Sequence, residues 1–348
     1  MKRASLGLLL VLHGLAHAGA GMWVAQRTPA GLLSALWTTA MVGFVGAGFG
    51  VLGVPVLRTH WRRLTVAAAV CSVVLLASGR HAVFALGVTL DAVLLALALR
   101  WGDSLAGRET ASRRPHPAVA RLAHVAAGAF LVYLAAVLLL RPWHIRWGST
   151  EAERRAALVG DERVPQAHYL MDHAVTIRAP ADSVWPWLVQ IGQDRGGFYS
   201  YAWLERAVGA DVHNADRIVP EWQQRRVGDL VRGVPADYLG GAFGRDLGWR
   251  VVALEPGRAL VLQNWGAFVL HPVGDSATRL HIRLRGEGRP SLAGVALAPA
   301  GLLVFEPAHF IMERGMMLGI KRRAEQHRVR PERSRSGATA REPVGESA

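Results

Sequence analysis

At 348 residues the chain is long enough for two structural units, and its single cysteine, Cys71, excludes an internal disulfide framework or a cysteine-based zinc site. It is 51% hydrophobic with a mean hydropathy of +0.21, at the apolar edge of soluble composition. The formal charge of +14 is unevenly spread: before residue 150 three acids (Asp91, Asp103, Glu109) face fourteen bases, while residues 151–325 carry twenty-one bases and twenty acids, which leaves no clustered basic face for nucleic acid.

Five apolar stretches lie in the first half: Ala4–Val24, Ala30–Leu57, Leu64–Gly79, Ala82–Leu99 and Leu122–Leu140. Most reach the roughly 17–25 residues that a helix needs to cross a bilayer, so residues 1–144 read as an all-α transmembrane bundle of about five spans. Leu64–Gly79 is the short one. Lys2, Arg3, Arg58, Arg62, Arg63, Arg100, Arg108, Arg113, Arg114 and Arg121 fall on one side of this pattern, with Arg27, Arg80, Arg141 and Arg146 on the other. By the positive-inside rule the amino terminus is cytoplasmic and, after five crossings, the following domain is extracytoplasmic. The parity reverses if Leu64–Gly79 does not cross. The first stretch also imitates a signal peptide, with Lys2-Arg3, an apolar core and Ala16-His17-Ala18.

Inside these runs His13 and His17 lie one helical turn apart, and Asp91 interrupts the fourth. Ionisable groups at such depth raise the possibility of proton handling or of a haem or metal site, against the plainer reading of interhelical hydrogen bonds. Gly46-Ala47-Gly48-Phe49-Gly50 marks close helix packing rather than a nucleotide loop.

Residues 145–165 are charged and read as a linker, or a collar at the membrane surface. From 166 to 327 the pattern is α+β. His173–Arg178 alternates as a strand, Pro180-Ala181-Asp182 opens a helix, and Trp249–Leu254, Ala259–Asn264 and Phe268–Val273 follow as strands. Leu280, Ile282 and Leu284 alternate with Arg279, His281, Arg283 and Arg285, which predicts a half-buried strand with a wet outer face. A last helix starts near Glu306-Pro307 and runs to about Gln326; residues 328–348 read as a disordered tail.

Several strings resemble SRPBCC/START-like domains: Ile177-Arg178-Ala179-Pro180 through Gln190, Gly196-Gly197-Phe198-Tyr199-Ser200-Tyr201, His213-Asn214-Ala215-Asp216, and Glu306–Glu313 with Gly319-Ile320-Lys321. The resemblance covers roughly residues 170–326 and implies a helix-grip fold, an antiparallel sheet around a long C-terminal helix with a hydrophobic cavity between them. It also implies a lipid-like or polycyclic ligand, or cyclase/dehydratase chemistry. A fold does not settle which.

On the last helix His309 and Glu313 are four residues apart, on the face of Met316, Met317, Ile320 and Ala324. They are either a polar anchor or acid/base pair for a greasy ligand, or a pair tying the helix to a neighbouring loop. With His213 they form the candidate catalytic set. Trp185, Tyr199, Tyr201, His213, Asn214, Trp222, Trp265, His309, Met312, Glu313 and Met316 form the candidate ligand-binding set. No metal-ligand spacing, GxSxG, P-loop or Rossmann glycine pattern is present, and no cofactor is expected. The leading expectation is membrane-tethered binding of a hydrophobic small molecule, the second a cyclase/dehydratase-type enzyme, the third a membrane sensor or scaffold.

Overall fold

In the computed structural model each apolar run of the first half is helical: α1 (Arg3–Arg27), α2 (Leu32–Leu52), the short α3 (Pro55–Arg58), α4 (Trp61–Ala77), α5 (Ala82–Gly107) and α6 (Pro117–His144). The structure describes residues 3–27, 32–77, 82–107, 117–207, 209–241, 247–286 and 301–338. Lys2, Arg80, Arg108, Arg113 and Arg114, used in the topology argument, lie outside these, as do residues 339–348 of the expected tail. The chain divides into two units, Met1–Leu140 with Arg289–Pro307, and Arg141–Gly288 with Ala308–Ala348.

The expectation of about five spans is corrected. Among the described residues one helix is long and apolar enough to cross a membrane, α2 through Ala35–Leu52, and 56% of that window is buried inside the protein. Ser5–His17 and Leu131–His144 are shorter apolar helices, and α4 has only 17 residues. Part of the apolar surface is used in packing helix against helix, while Leu8, Leu12, Val42, Val70, Leu86 and Leu139 among others stay exposed. Leu6, Leu10, Phe44, Ala47, Val51, Trp61, Ala68, Ala69, Leu94 and Ala98 form one buried cluster. Gly48 of α2 lies against α1 so closely that a Cβ there would sit 2.6 Å from the Gly7 carbonyl oxygen. Hydropathy and length alone do not separate such a helix from a span, and the five-crossing parity argument no longer applies.

The second unit is built on a six-stranded antiparallel sheet in the order β1-β6-β5-β4-β3-β2. The strands are β1 (Tyr169–Ile177), β2 (Leu230–Arg232), β3 (Gly248–Glu255), β4 (Ala259–Leu262), β5 (Gly266–Val273) and β6 (Ala277–Gly286). Between β1 and β2 come α8 (Ala181–Val189) and α9 (Ala202–Ala207), and the last helix, α10, is Glu306–Ala338. The period of two sends Ile177, Val251, Leu260, Leu262, Phe268, Leu270, Leu280 and Ile282 to one face. There they pack with Trp187, Leu188 and Ile191, and with Met316, Met317, Ile320 and Ala324 of α10.

The other face is not wet. Residues 145–165 are built into the sheet and over it: the first of them pair along the free edge of β1, where Asp172 N–H donates to the Ile145 carbonyl and Ala174 N–H to that of Trp147. A short helix, α7 (Glu151–Arg155), follows, its start fixed by a Thr150/Glu153 capping box. Leu158 packs with Ala259, Val261, Ala267 and Val269. Arg283, 3% exposed, donates to Asp172 (2.7 Å) and Asp161 (2.8 Å) and to the carbonyls of Glu153, Arg154 and Ala156. His281 Nε2 lies 2.9 Å from Asp172. The alternation in β6 is a true period of two, but its polar side meets the segment 145–165 rather than water, with His281 and Arg283 buried.

Candidate functional site

A 100° step per residue puts His309 and Glu313 on one face of α10, one turn apart. Glu313 is 2% exposed. Its Oε1 accepts from His173 Nδ1 at 2.5 Å, and its Oε2 accepts from Trp265 Nε1 at 2.6 Å. His309 Nε2 is 3.1 Å from the same Oε2, but off a hydrogen-bond line. On the far side of the His173 ring, Nε2 donates to the His144 carbonyl at 2.8 Å. Both nitrogens of His173 therefore face acceptors, an arrangement that only the imidazolium satisfies in full. The carboxylate thus joins α10 to β1 and to the residue leading into β5.

Burial opposes charge on each partner, and the pairing outweighs it. Desolvation would push the Glu313 carboxyl up, but the neighbouring His309 and His173 and the hydrogen bond from His173 hold it well below the usual carboxylate range. Desolvation would likewise lower His173, yet the hydrogen bond and charge of Glu313, with the His144 carbonyl, raise it above its ordinary 6.5. The sign of the linkage follows. The stability contributed by His173 is fully present below pH 6.5 and is lost as pH rises through its raised folded value. On the acid side, Glu153, lowered from 4.5 to about 2 chiefly by its hydrogen bond from Arg279, contributes above 4.5 and is lost as pH falls toward about 2. We expect the melting temperature of the chain to fall above neutrality. His173→Gln should flatten that alkaline limb and leave the acid limb in place; an unchanged alkaline limb would contradict the charged form of His173.

Aromatic rings wall the group. Trp265 lies 4.3 Å (centroid to centroid) from Trp249, 5.7 Å from Phe198, 5.3 Å from Phe268 and 6.0 Å from His309. Phe310 sits 5.5 Å from His173. His309, its side chain 28% exposed, and the half-buried Trp249 bring this cluster toward the surface.

The other sequence-chosen residues serve the loop that packs on α10. Tyr199 is buried in a left-handed conformation (φ 56°), which Asn214 holds by accepting from its N–H at 2.6 Å while donating to the Ser200 carbonyl. The Tyr199 hydroxyl accepts from Gln190, and Arg323 covers its ring at 4.7 Å. Burial pushes that phenol well above its ordinary value. Ser200 donates to the Met312 carbonyl; Met316 is core. Tyr201 is half-buried beside Gly315, Trp185 packs on the core from α8, and the Trp222 carbonyl accepts from Arg195. His213 is exposed, 3.8 Å from Asp211. Thus the structure brings Trp265, His309 and Glu313 together, and sets Tyr199, Asn214 and Met312 in the loop–helix seam. The seam is tight at Gly319, where a Cβ would lie 2.0 Å from the Tyr199 carbonyl oxygen. Gly319→Ala should cost about 1–3 kcal/mol through displacement of that loop, measurable by urea denaturation; a neutral result would mean that the seam is loose.

His173 was missed in sequence although a signal existed: it shares the parity of Met171, Val175 and Ile177, a histidine on the inward side of a strand. Among the described residues no group of three His, Cys, Asp or Glu is arranged to hold a metal ion. Comparison with protein-family models, curated proteins and solved structures finds no match to this chain.

Proposed function

We propose that the second unit is an SRPBCC/START-like binding domain for a hydrophobic, lipid-like or polycyclic small molecule. The observation that carries this reading is the partly exposed His309, backed by a buried carboxylate and set beside the Trp249–Trp265–Phe198 aromatic cluster. An apolar wall with one oriented polar group is the usual composition of a small-molecule site. The middle of the sheet–helix layer is occupied by Trp187, Tyr199, Phe268, Met317 and Ile320, so the ligand is assigned to the end near His309. Glu313, its oxygens already engaged, acts behind His309 rather than on the ligand. The first unit carries Leu86, Val125, Val132 and Leu139 at 67–79% exposure, an apolar surface suited to holding the chain at a membrane, from which such a ligand would come.

Pyrene and palmitate titrated against the full chain, read by tryptophan emission, test this. Trp249→Ala should weaken both by about tenfold or more, about 1.4 kcal/mol, and His309→Gln should weaken palmitate while sparing pyrene. Wild-type affinity in both variants would contradict the site. The carboxylate behind His309 also favours a second reading, general acid/base catalysis of the cyclase/dehydratase type, since a histidine oriented by a buried carboxylate is a common proton-transfer device. Chemical conversion of a bound molecule that His309→Gln abolishes without loss of binding would establish it.

A further inference from the structure

The first unit contains a second buried polar group, independent of the site above. His13 and His17 of α1, Ser72 of α4 and Asp91 of α5 are all at most 7% exposed, and they form one chain of contacts. His13 Nε2 is 2.7 Å from Asp91 Oδ1, Ser72 Oγ is 2.5 Å from Asp91 Oδ2, and His17 Nε2 is 2.8 Å from Ser72 Oγ. His17 Nδ1 faces the His13 carbonyl at 3.0 Å. From α2 come Trp37, whose Nε1 donates to the His17 carbonyl, and Phe44, whose ring lies 4.7 Å from His13 and 5.8 Å from His17. Among the described residues, the titratable groups facing this point are thus the two histidines and the one carboxyl.

Counting hydrogens decides its protonation. A carbonyl cannot donate, so His17 Nδ1 carries a proton. His13 fills its contact with Asp91 by donating from Nε2. The remaining run, His17 Nε2 to Ser72 Oγ to Asp91 Oδ2, has two contacts and a single hydroxyl hydrogen. With both histidines neutral and Asp91 ionised, one of these two contacts sets lone pair against lone pair. One further proton satisfies both, and it does so in either of two ways. In the first, His17 is an imidazolium donating to Ser72, which donates to the carboxylate. In the second, Asp91 is a carboxyl donating to Ser72, which donates to neutral His17. Both leave the group with zero net charge, the form an apolar helical interior tolerates.

We propose that His13, His17, Ser72 and Asp91 form a proton-binding site holding one exchangeable proton, shared between His17 and Asp91 through the Ser72 hydroxyl. Interconversion is balanced: the His17 Nε2 proton passes to Ser72 Oγ as the hydroxyl proton passes to Asp91 Oδ2, and no other bond changes. Because Ser72 lies between the imidazole and the carboxylate, the geometry favours proton sharing over metal ligation.

The test uses the full chain at neutral pH, with two readouts. Nitrogen-15 histidine spectra report the protonation of His17, assigned by difference from His17→Gln. Infrared spectra report a protonated Asp91 carboxyl, assigned by Asp91→Asn. The expected result is that the imidazolium fraction and the carboxyl fraction sum to one, each rising as the other falls with temperature. In Ser72→Ala, which removes one oxygen and no charge, this reciprocity should disappear while the helices stay folded. Neutral His17 together with ionised Asp91 in the wild type overturns the proposal. So does a Ser72→Ala variant in which the two signals remain reciprocal. If Asp91→Asn does not fold, carbon-13 aspartate labelling of the wild type supplies the carboxyl assignment.

Discussion

Glu313→Ala is expected to lower folding stability by about 3–5 kcal/mol, the usual cost of removing one partner of a buried ion pair. The carboxylate accepts from His173 and Trp265 and lies 3.1 Å from His309, so alanine leaves a buried imidazole and a buried indole N–H without their acceptor. Glu313→Gln should cost much less. Its amide can donate to Nδ1 of a neutral His173, which keeps its Nε2 bond to the His144 carbonyl, while the amide oxygen still accepts from Trp265. The glutamine variant should also lose the alkaline fall in melting temperature, because His173 no longer gains from protonation. Urea denaturation of the full chain, followed by tryptophan fluorescence, measures the difference. Equal costs for alanine and glutamine would mean that the charge, not the hydrogen bonds, is what the site requires.

Arg283→Met should be comparably severe, again about 3–5 kcal/mol. Methionine can fill part of the volume but cannot replace the bonds to Asp172, Asp161 and the three carbonyls of residues 153–156. Residues 150–161 should then detach from the sheet, and limited proteolysis should cut there first. Arg279→Met is the control. Arg279 also bonds Glu153, but its side chain is more exposed, at 17%, and water can replace part of the pairing, so a smaller loss, about 1–3 kcal/mol, is expected. Equal losses in the two variants would show that burial of Arg283 contributes nothing of its own.

These two residues also show what the sequence could and could not reveal. The strand alternation around Leu280–Arg285 and the inward stripe Met316–Ile320 follow from local periodicity, and the structure has both. What covers a sheet face is a long-range matter: Arg283 looks like a surface residue until the segment from Ile145 to Pro165 is laid over it. The same reason hid His173. Its partner Glu313 is 140 residues away, and one chain gives no local sign of that pairing. The pair His309–Glu313 was legible because both ends lie on one helix turn. Glu313 ties the helix to β1 through His173 and to the turn before β5 through Trp265, and the histidine is the member facing outward. The five apolar runs were legible as helices but not as crossings, since packing of α2 against α1 and α4 uses the same residue types that lipid would.

The ligand assignment is tested most directly by photolabelling the full chain with a diazirine-bearing fatty acid, with and without excess unlabelled palmitate, followed by peptide mapping. The account predicts competitor-sensitive labelling confined to peptides bearing Trp249, Trp265 or His309, and its loss in Trp249→Ala. Labelling that palmitate does not displace, or displaceable labelling that leaves these peptides untouched, would contradict it.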